Sequence, residues 1–190
     1  MLEWALIADG VAPSDLYSVL STPEGLSRAF DVASGIKPNV VWWSSGNEPA
    51  ELMTEHNVVM SSAWNGRIYG SVISDNLPLK IIWDGQMVEI DYWAILKGSP
   101  RLANAKNFVR FAMQTENLAA QTKYISYAPV RKSSQALIGD DVKPFLPTSN
   151  LDSAVQVDAQ WWADNLESVG EQFEEWLTPT AGDLDRAVRF

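Results

Sequence analysis

Apolar and polar positions along the 190-residue chain alternate helical stretches with short β-branched and aromatic runs. Leu2, Ala5, Leu6 and Ala8 share one helical face and Gly10 offers a left-handed stop, so the chain opens on the last turns of a helix. Leu26, Ala29, Phe30 and Ala33 predict a second helix, with Ser21 or Thr22 as its cap and Pro23 at its first position. NVVWWSS (39–45) reads as a buried strand ended by Gly46, and EPAELM then resumes helical spacing. NVVMSSAW (57–64) reads as another buried strand, closed by an Asn65-Gly66 turn. Two strand-to-helix units in so short a span predict an α/β fold with parallel pairing.

Further along, LKIIWDG and MVEIDYWAIL read as a hairpin or adjacent strands around Asp84-Gly85, and KGSP breaks the second run. Leu102, Ala105, Phe108, Val109 and Ala112 recur at helical intervals, and ENLAAQTKY continues as a shorter helix. Residues 125–157 hold three prolines among scattered polar residues, which suits an irregular segment with short turns. Asp158 caps a long predicted helix to Leu177 with Trp162, Leu166, Val169, Phe173, Trp176 and Leu177 on a broad stripe. TPTAGDLDRAVRF (178–190) reads as a terminal tail with at most one more helical turn.

Composition narrows the function classes. Hydrophobic residues at 46% and charged residues at 20% give a chain able to build a core. With no cysteine, disulfides, thiolate zinc sites and cysteine nucleophiles drop out, while the compartment stays open. Fourteen basic against twenty-four acidic residues give a net charge of −10. That balance keeps the chain soluble, disfavours nucleic acid and anionic membrane, and favours cationic or neutral partners. MLEWALIADG has neither the basic start of a signal peptide nor an apolar run long enough to span a membrane.

Candidate chemistry is sparse. His56 is the single histidine and reads as a surface-turn residue, which excludes multi-histidine metal sites. No phosphate-binding glycine loop or metal motif is present, so neither cofactor nor metal is expected. Glu89 and Asp91, two apart on a predicted strand, project from one face and suit acid–base work, an ammonium ligand or plain solvation. Nine tryptophans exceed the needs of an ordinary core of this size, and an aromatic face attracts a desolvated cation by about 2 kcal/mol. Trp64, at a strand end before Asn-Gly, is the best candidate for that use. Arg67 beside it suits a ligand carboxylate, an ion pair with Glu89 or Asp91, or the open surface.

LEWALIADGVAPSDLY, IKPNVVWWSSGNEPAEL, NVVMSSAWNGR, DYWAILKGSPRLANAKNFVRF and DAQWWADNLESVGEQFEEWL, in this order, resemble the polyamine-type (spermidine/putrescine) periplasmic solute-binding proteins of bacterial ABC importers. The resemblance implies an α/β fold of the type II periplasmic binding protein kind, two lobes closing on a small ligand, with the chain crossing between lobes more than once. It assigns residues 1–75 to the second lobe, 76–124 to a return into the first, and 125–190 to completion of the second. The N-terminal part of the first lobe and the signal peptide are expected to lie outside this chain, which reads as a truncated, C-terminal portion. By resemblance Trp64 matches the cleft tryptophan and Asp91 the amine-binding aspartate.

Two positions depart from the family pattern: Glu89 stands where an aromatic is common, and Arg67 where some members carry an acid. Tyr124 and Tyr127 lie near a family tyrosine at the lobe crossover, and Trp161 and Trp162 serve either the cleft or the core. The reversed charge at Arg67 opposes a simple diamine and favours a zwitterion with its carboxylate at Arg67 and its ammonium at Asp91, unless Glu89 neutralises Arg67. The implied protein is not an enzyme: it is periplasmic, binds a cationic or zwitterionic small amine and delivers it to an ABC permease. Two rivals remain, a carbohydrate-active hydrolase using Glu89 and Asp91, and a non-catalytic module that forms a homodimer through exposed edges.

Overall fold

The computed structural model describes residues 1–178. In chain order its helices are α1 (Leu2–Ala8), α2 (Leu16–Leu20), α3 (Pro23–Ser34), α4 (Glu48–Thr54), α5 (Asn65–Ile73), α6 (Leu102–Ala112), α7 (Thr115–Gln121), α8 (Lys132–Gln135) and α9 (Ala159–Leu177), with strands β1 (Met87–Val88) and β2 (Val155–Gln156). The chain divides into two units, one made of Met1–Val41 and the chain from Gln156 onward, the other of Trp42–Val155.

In the first unit the predicted helices form where their caps place them. Thr22 Oγ1 accepts from the Gly25 N–H at 3.0 Å and Pro23 starts α3. Gly10, at φ +86°, ends α1 in the left-handed region, as expected of a glycine stop. Leu6, Leu16, Leu20, Ala29 and Ala33 are buried, and small residues let α1 and α3 approach. A Cβ on Gly25 would lie 2.0 Å from the Val19 carbonyl oxygen, so the start of α3 tolerates no side chain there.

Helix α9 begins as predicted, with Asp158 Oδ1 accepting from the N–H groups of Gln160 (3.0 Å) and Trp161 (2.9 Å). Its face differs in detail from the predicted stripe: Trp161 and Val169 are buried while Leu166 is exposed. Both tryptophans of the WW pair serve the interior of this unit. Trp161 Nε1 donates to Ser21 Oγ at 2.9 Å, and Trp162 Nε1 donates to Glu3 Oε1 at 2.8 Å.

Glu3 is a buried carboxylate, 3% exposed, that also accepts from the Tyr17 hydroxyl at 3.2 Å. Burial, with the Glu3 charge adding to it, pushes the Tyr17 phenol above its ordinary value. Lys37 donates to the carbonyl of Trp176 near the end of α9 and sits 5.0 Å from the centre of that indole, a position the helix dipole favours for a cation. The part of the predicted tail at 179–190 lies outside the described residues.

In the second unit the apolar runs do not become the expected ladders. The ladder among the described residues is short and pairs β1 with β2, Val155 N–H donating to the Gln86 carbonyl at 2.8 Å. The run 79–84 is therefore not the hairpin partner of 87–96, although Gly85 makes the predicted turn at φ +69°. Residues 40–44 and 58–64 hold no regular element, and Val41, Trp42, Val59, Met60 and Trp64 are exposed, Val59 at 98%. β propensity marks these runs, but a strand also needs a backbone partner at long range, and none of the described segments supplies one. Helix α6 forms as predicted, and of its predicted stripe Leu102 and Phe108 are exposed while Ala105, Val109 and Ala112 are half-buried.

What orders this unit is a packed region that the sequence shows only as prolines and turns. Ile138, Val142 and Leu146 form a buried cluster, Tyr69 of α5 meets Phe145 edge-on at 5.1 Å, and Thr122 and Ser126 are buried.

Candidate functional site

Trp64 ends an extended stretch and is the N-cap of α5, so Asn65-Gly66 is the first turn of a helix rather than a free turn. Its indole is 51% exposed and is not sealed in the core. The ring lies over Gly46, where a Cβ would fall 2.3 Å from Cζ3 and 2.5 Å from Cε3. Trp43 meets it edge-to-face at 6.0 Å between centroids and 82° between planes, with Trp43 Nε1 donating to Ser62 Oγ at 3.1 Å.

The turn carrying Trp43 is held from α4. The Ser44 N–H donates to Glu48 Oε2 at 2.9 Å and the Ser44 hydroxyl donates to Oε1 at 3.2 Å. The backbone N–H of Ser44, ahead of the hydroxyl contacts, holds the exposed Glu48 carboxyl below its ordinary range.

Arg67 is exposed in the first turn of α5. Tyr127 is half-buried, its Cε1 lying 2.7 Å from where a Gly66 Cβ would be. Burial pushes the Tyr127 phenol up, the nearby Asp91 carboxylate pushes it further, and the Arg67 guanidinium pulls it down. A cation, an anion and a phenol therefore share one neighbourhood, and Trp64 begins the helix that carries the cation.

Glu89 and Asp91 are both exposed and lie beyond the end of β1, so the regular strand that would give them a common face stops at Val88. Tyr124 is 86% exposed. His56 sits at φ +60° in the turn after α4 and is exposed, as expected. Among the described residues no group of three or more His, Cys, Asp or Glu side chains is arranged to hold a metal, and no helix is long and apolar enough to cross a membrane.

Sequence reasoning missed two members of this region. Trp43 was one aromatic in an apparently buried run, and its pairing with Trp64 depends on the fold. Asn65 was a turn residue by type, yet its side chain reaches segments 61 and 80 positions away.

Residues 1–148 match the family of bacterial extracellular solute-binding proteins. The chain is 42% identical over 177 residues to the gamma-aminobutyric acid (GABA)-binding protein of Pseudomonas aeruginosa, covering 92% of this chain and 50% of that protein. A GABA receptor structure superposes with a TM-score of 0.81 at 28% identity, covering 94% of this chain and 54% of the other. AgtB from A. tumefaciens R10 in complex with agropinic acid gives 0.79 at 30% identity, covering 93% and 54%. The α/β fold is thus that of periplasmic binding proteins, and the chain spans about half the length of these relatives.

Proposed function

The chain belongs to the bacterial extracellular solute-binding protein family, and on that premise we propose that it holds a small zwitterionic amine, an ω-amino acid of the GABA kind, for an ABC importer. The observation that carries this reading is that two opposite charges, Arg67 and Asp91, both act on the Tyr127 phenol, in the unit that also exposes Trp64. A ligand carboxylate takes the Arg67 guanidinium, whose planar fork suits it. Arg67 lies in the first turn of α5, where the helix dipole opposes a cation and welcomes an anion, so a carboxylate there relieves both. The ligand ammonium takes Asp91, and the methylenes between them lie on the Trp64 indole.

A polyamine fits less well, since one of its ammonium groups would meet Arg67. The GABA-binding protein and the GABA receptor among the relatives support the zwitterion by their names. Trp64, Arg67 and Asp91 all lie in the Trp42–Val155 unit, and within this reading Trp64 and Arg67 reach the ligand from the start of α5 and Asp91 from the segment beyond β1. Delivery is to a permease on the outer face of the cytoplasmic membrane. The hydrolase use of Glu89 and Asp91 has no place in a family of solute-binding, non-enzymatic proteins.

Two charge-assisted contacts at about 1.5–3 kcal/mol each, with about 0.5–1 kcal/mol from an exposed indole, sum to roughly 4–7 kcal/mol before ligand ordering is subtracted. That corresponds to affinity near the millimolar range for the 190-residue chain. Titration of the chain with GABA and with butane-1,4-diamine, followed by NMR at the Trp64 indole and Arg67 guanidinium, tests this. GABA is expected to move both signals, and Arg67→Ala to weaken GABA while strengthening the diamine. A response to the diamine alone, or an Arg67→Ala variant that binds GABA as well as the parent, overturns it.

A further inference from the structure

We propose that Asn65 is a positioning residue for ligand binding, fixing the first turn of α5 and with it Trp64 and Arg67; this rests on the reading of that pair given above. The N-cap of α5 is Trp64, whose indole has no oxygen to cap the helix, and its side chain makes no capping bond. The start of α5 is instead held through the next residue. Asn65 Nδ2 donates to the Ser126 carbonyl at 2.6 Å, to Ser126 Oγ at 3.1 Å and to the Phe145 carbonyl at 3.1 Å. One amide group thereby joins three segments distant in sequence, and Ser126 is fully buried.

The neighbouring position closes the same lock by having no side chain. A Cβ on Gly66 would stand 2.5 Å from Ile125 Cγ1 and 2.7 Å from Tyr127 Cε1. The helix start is thus pressed onto residues 125–127 by a donor at 65 and an absence at 66. Trp64 precedes this lock directly, Arg67 follows it within the same turn, and the Arg67 N–H donates to the Trp64 carbonyl at 2.9 Å. Tyr127, which feels both Arg67 and Asp91, is seated against it from the opposite strand of chain.

The chemistry is specific to asparagine. Two of its partners are carbonyl oxygens that only accept, so a donor is required; aspartate, of equal size, would face them with an acceptor. Serine retains a single donor and alanine none. Holding the turn sets the reach from the Arg67 guanidinium to the Asp91 side, so the number of methylenes tolerated between a ligand's carboxylate and ammonium depends on Asn65.

The test compares the parent chain with Asn65→Ala, Asn65→Ser and Asn65→Asp, using Leu118→Ala in α7 as a variant that loosens the same unit elsewhere. Amide hydrogen exchange without ligand is the first readout. Asn65→Ala is expected to speed exchange at Gly66, Arg67 and Ile68 about tenfold relative to the rest of the unit, with Asn65→Ser between it and the parent. Leu118→Ala is expected to leave that local ratio unchanged. The second readout is NMR titration with 3-aminopropanoate, 4-aminobutanoate and 5-aminopentanoate, in which Asn65→Ala and Asn65→Asp lose the parent's preference among the three lengths. If the parent binds none of them, the zwitterion reading fails while the exchange ratio still decides the role of Asn65. Exchange at residues 66–68 in Asn65→Ala no faster than elsewhere in the unit, or an unaltered length preference, overturns the proposal.

Discussion

Gly46→Ala displaces the Trp64 indole without changing any group that would touch a ligand. The added Cβ would stand 2.3 Å from Cζ3 of the ring, against about 3.6 Å for an ordinary carbon contact, so something must yield by roughly 1.3 Å. The backbone at 44–48 is fixed by two hydrogen bonds to Glu48, whereas the indole is half in solvent, so the ring gives way. Overpacking a closed core costs about 1–3 kcal/mol; a ring free to swing outward costs less, about 1 kcal/mol or under. For a chain of this size that is a fall of roughly 2–4 °C in Tm at most.

Binding suffers as well. Loss of the exposed indole contact forfeits about 0.5–1 kcal/mol, or roughly 2- to 5-fold in Kd. The assay is NMR titration of parent, Gly46→Ala and Trp64→Ala with GABA, beside thermal melts by circular dichroism. The expected result is weakened binding in Gly46→Ala, bounded by Trp64→Ala, with a nearly unchanged melt. If the Trp64 indole resonance moves in Gly46→Ala while GABA affinity stays at the parent value, the ring is no part of the binding surface and the reasoning is refuted.

Other outcomes follow from the same structure. Tyr127 should titrate above the ordinary tyrosine pKa of about 10, with the neutral phenol favoured by folding; its contribution to stability is intact below that value and is lost as pH rises through the raised pKa. In ultraviolet difference titration against Tyr127→Phe, Asp91→Asn should lower that pKa and Arg67→Ala raise it; no movement in either would show that the charges do not act on the ring. Glu3→Ala leaves the Trp162 N–H and Tyr17 hydroxyl short of an acceptor and should cost about 1–3 kcal/mol per group, read by urea unfolding, with Glu3→Gln milder. The outward Val59 and Met60 should make light scattering of the chain rise with concentration, and lysine at both positions should suppress it.

Local rules made much of the first unit legible. Thr22-Pro23, Gly10 and Asp158 mark helix ends through contacts within a few residues, and they stand where the sequence puts them. The apolar runs around Val59 and Ile82 were equally visible, but their pairing is a long-range property that no local pattern encodes. At the candidate site, Trp64, Arg67 and Asp91 could be singled out by residue type and by resemblance. The Trp43 contact and the bonds from Asn65 to Ser126 and Phe145 could not, because they join positions that only the folded chain brings together. Residues 138–146 look like loop by composition and nevertheless hold a buried cluster of Ile138, Val142 and Leu146, with Pro144 in the short helical turn Lys143–Phe145 that leads to Leu146.

The perpendicular meeting of Trp43 and Trp64 also makes the protein its own optical instrument. Two indoles that close couple their electronic transitions, and the resulting circular dichroism depends on the angle between them. A guest sliding onto one ring would alter that signal without any dye. The Trp161–Trp162 pair, at 5.1 Å and 89° in the other unit, adds a signal in the same bands, so the difference between the parent and a Trp43→Phe variant isolates the Trp43–Trp64 part.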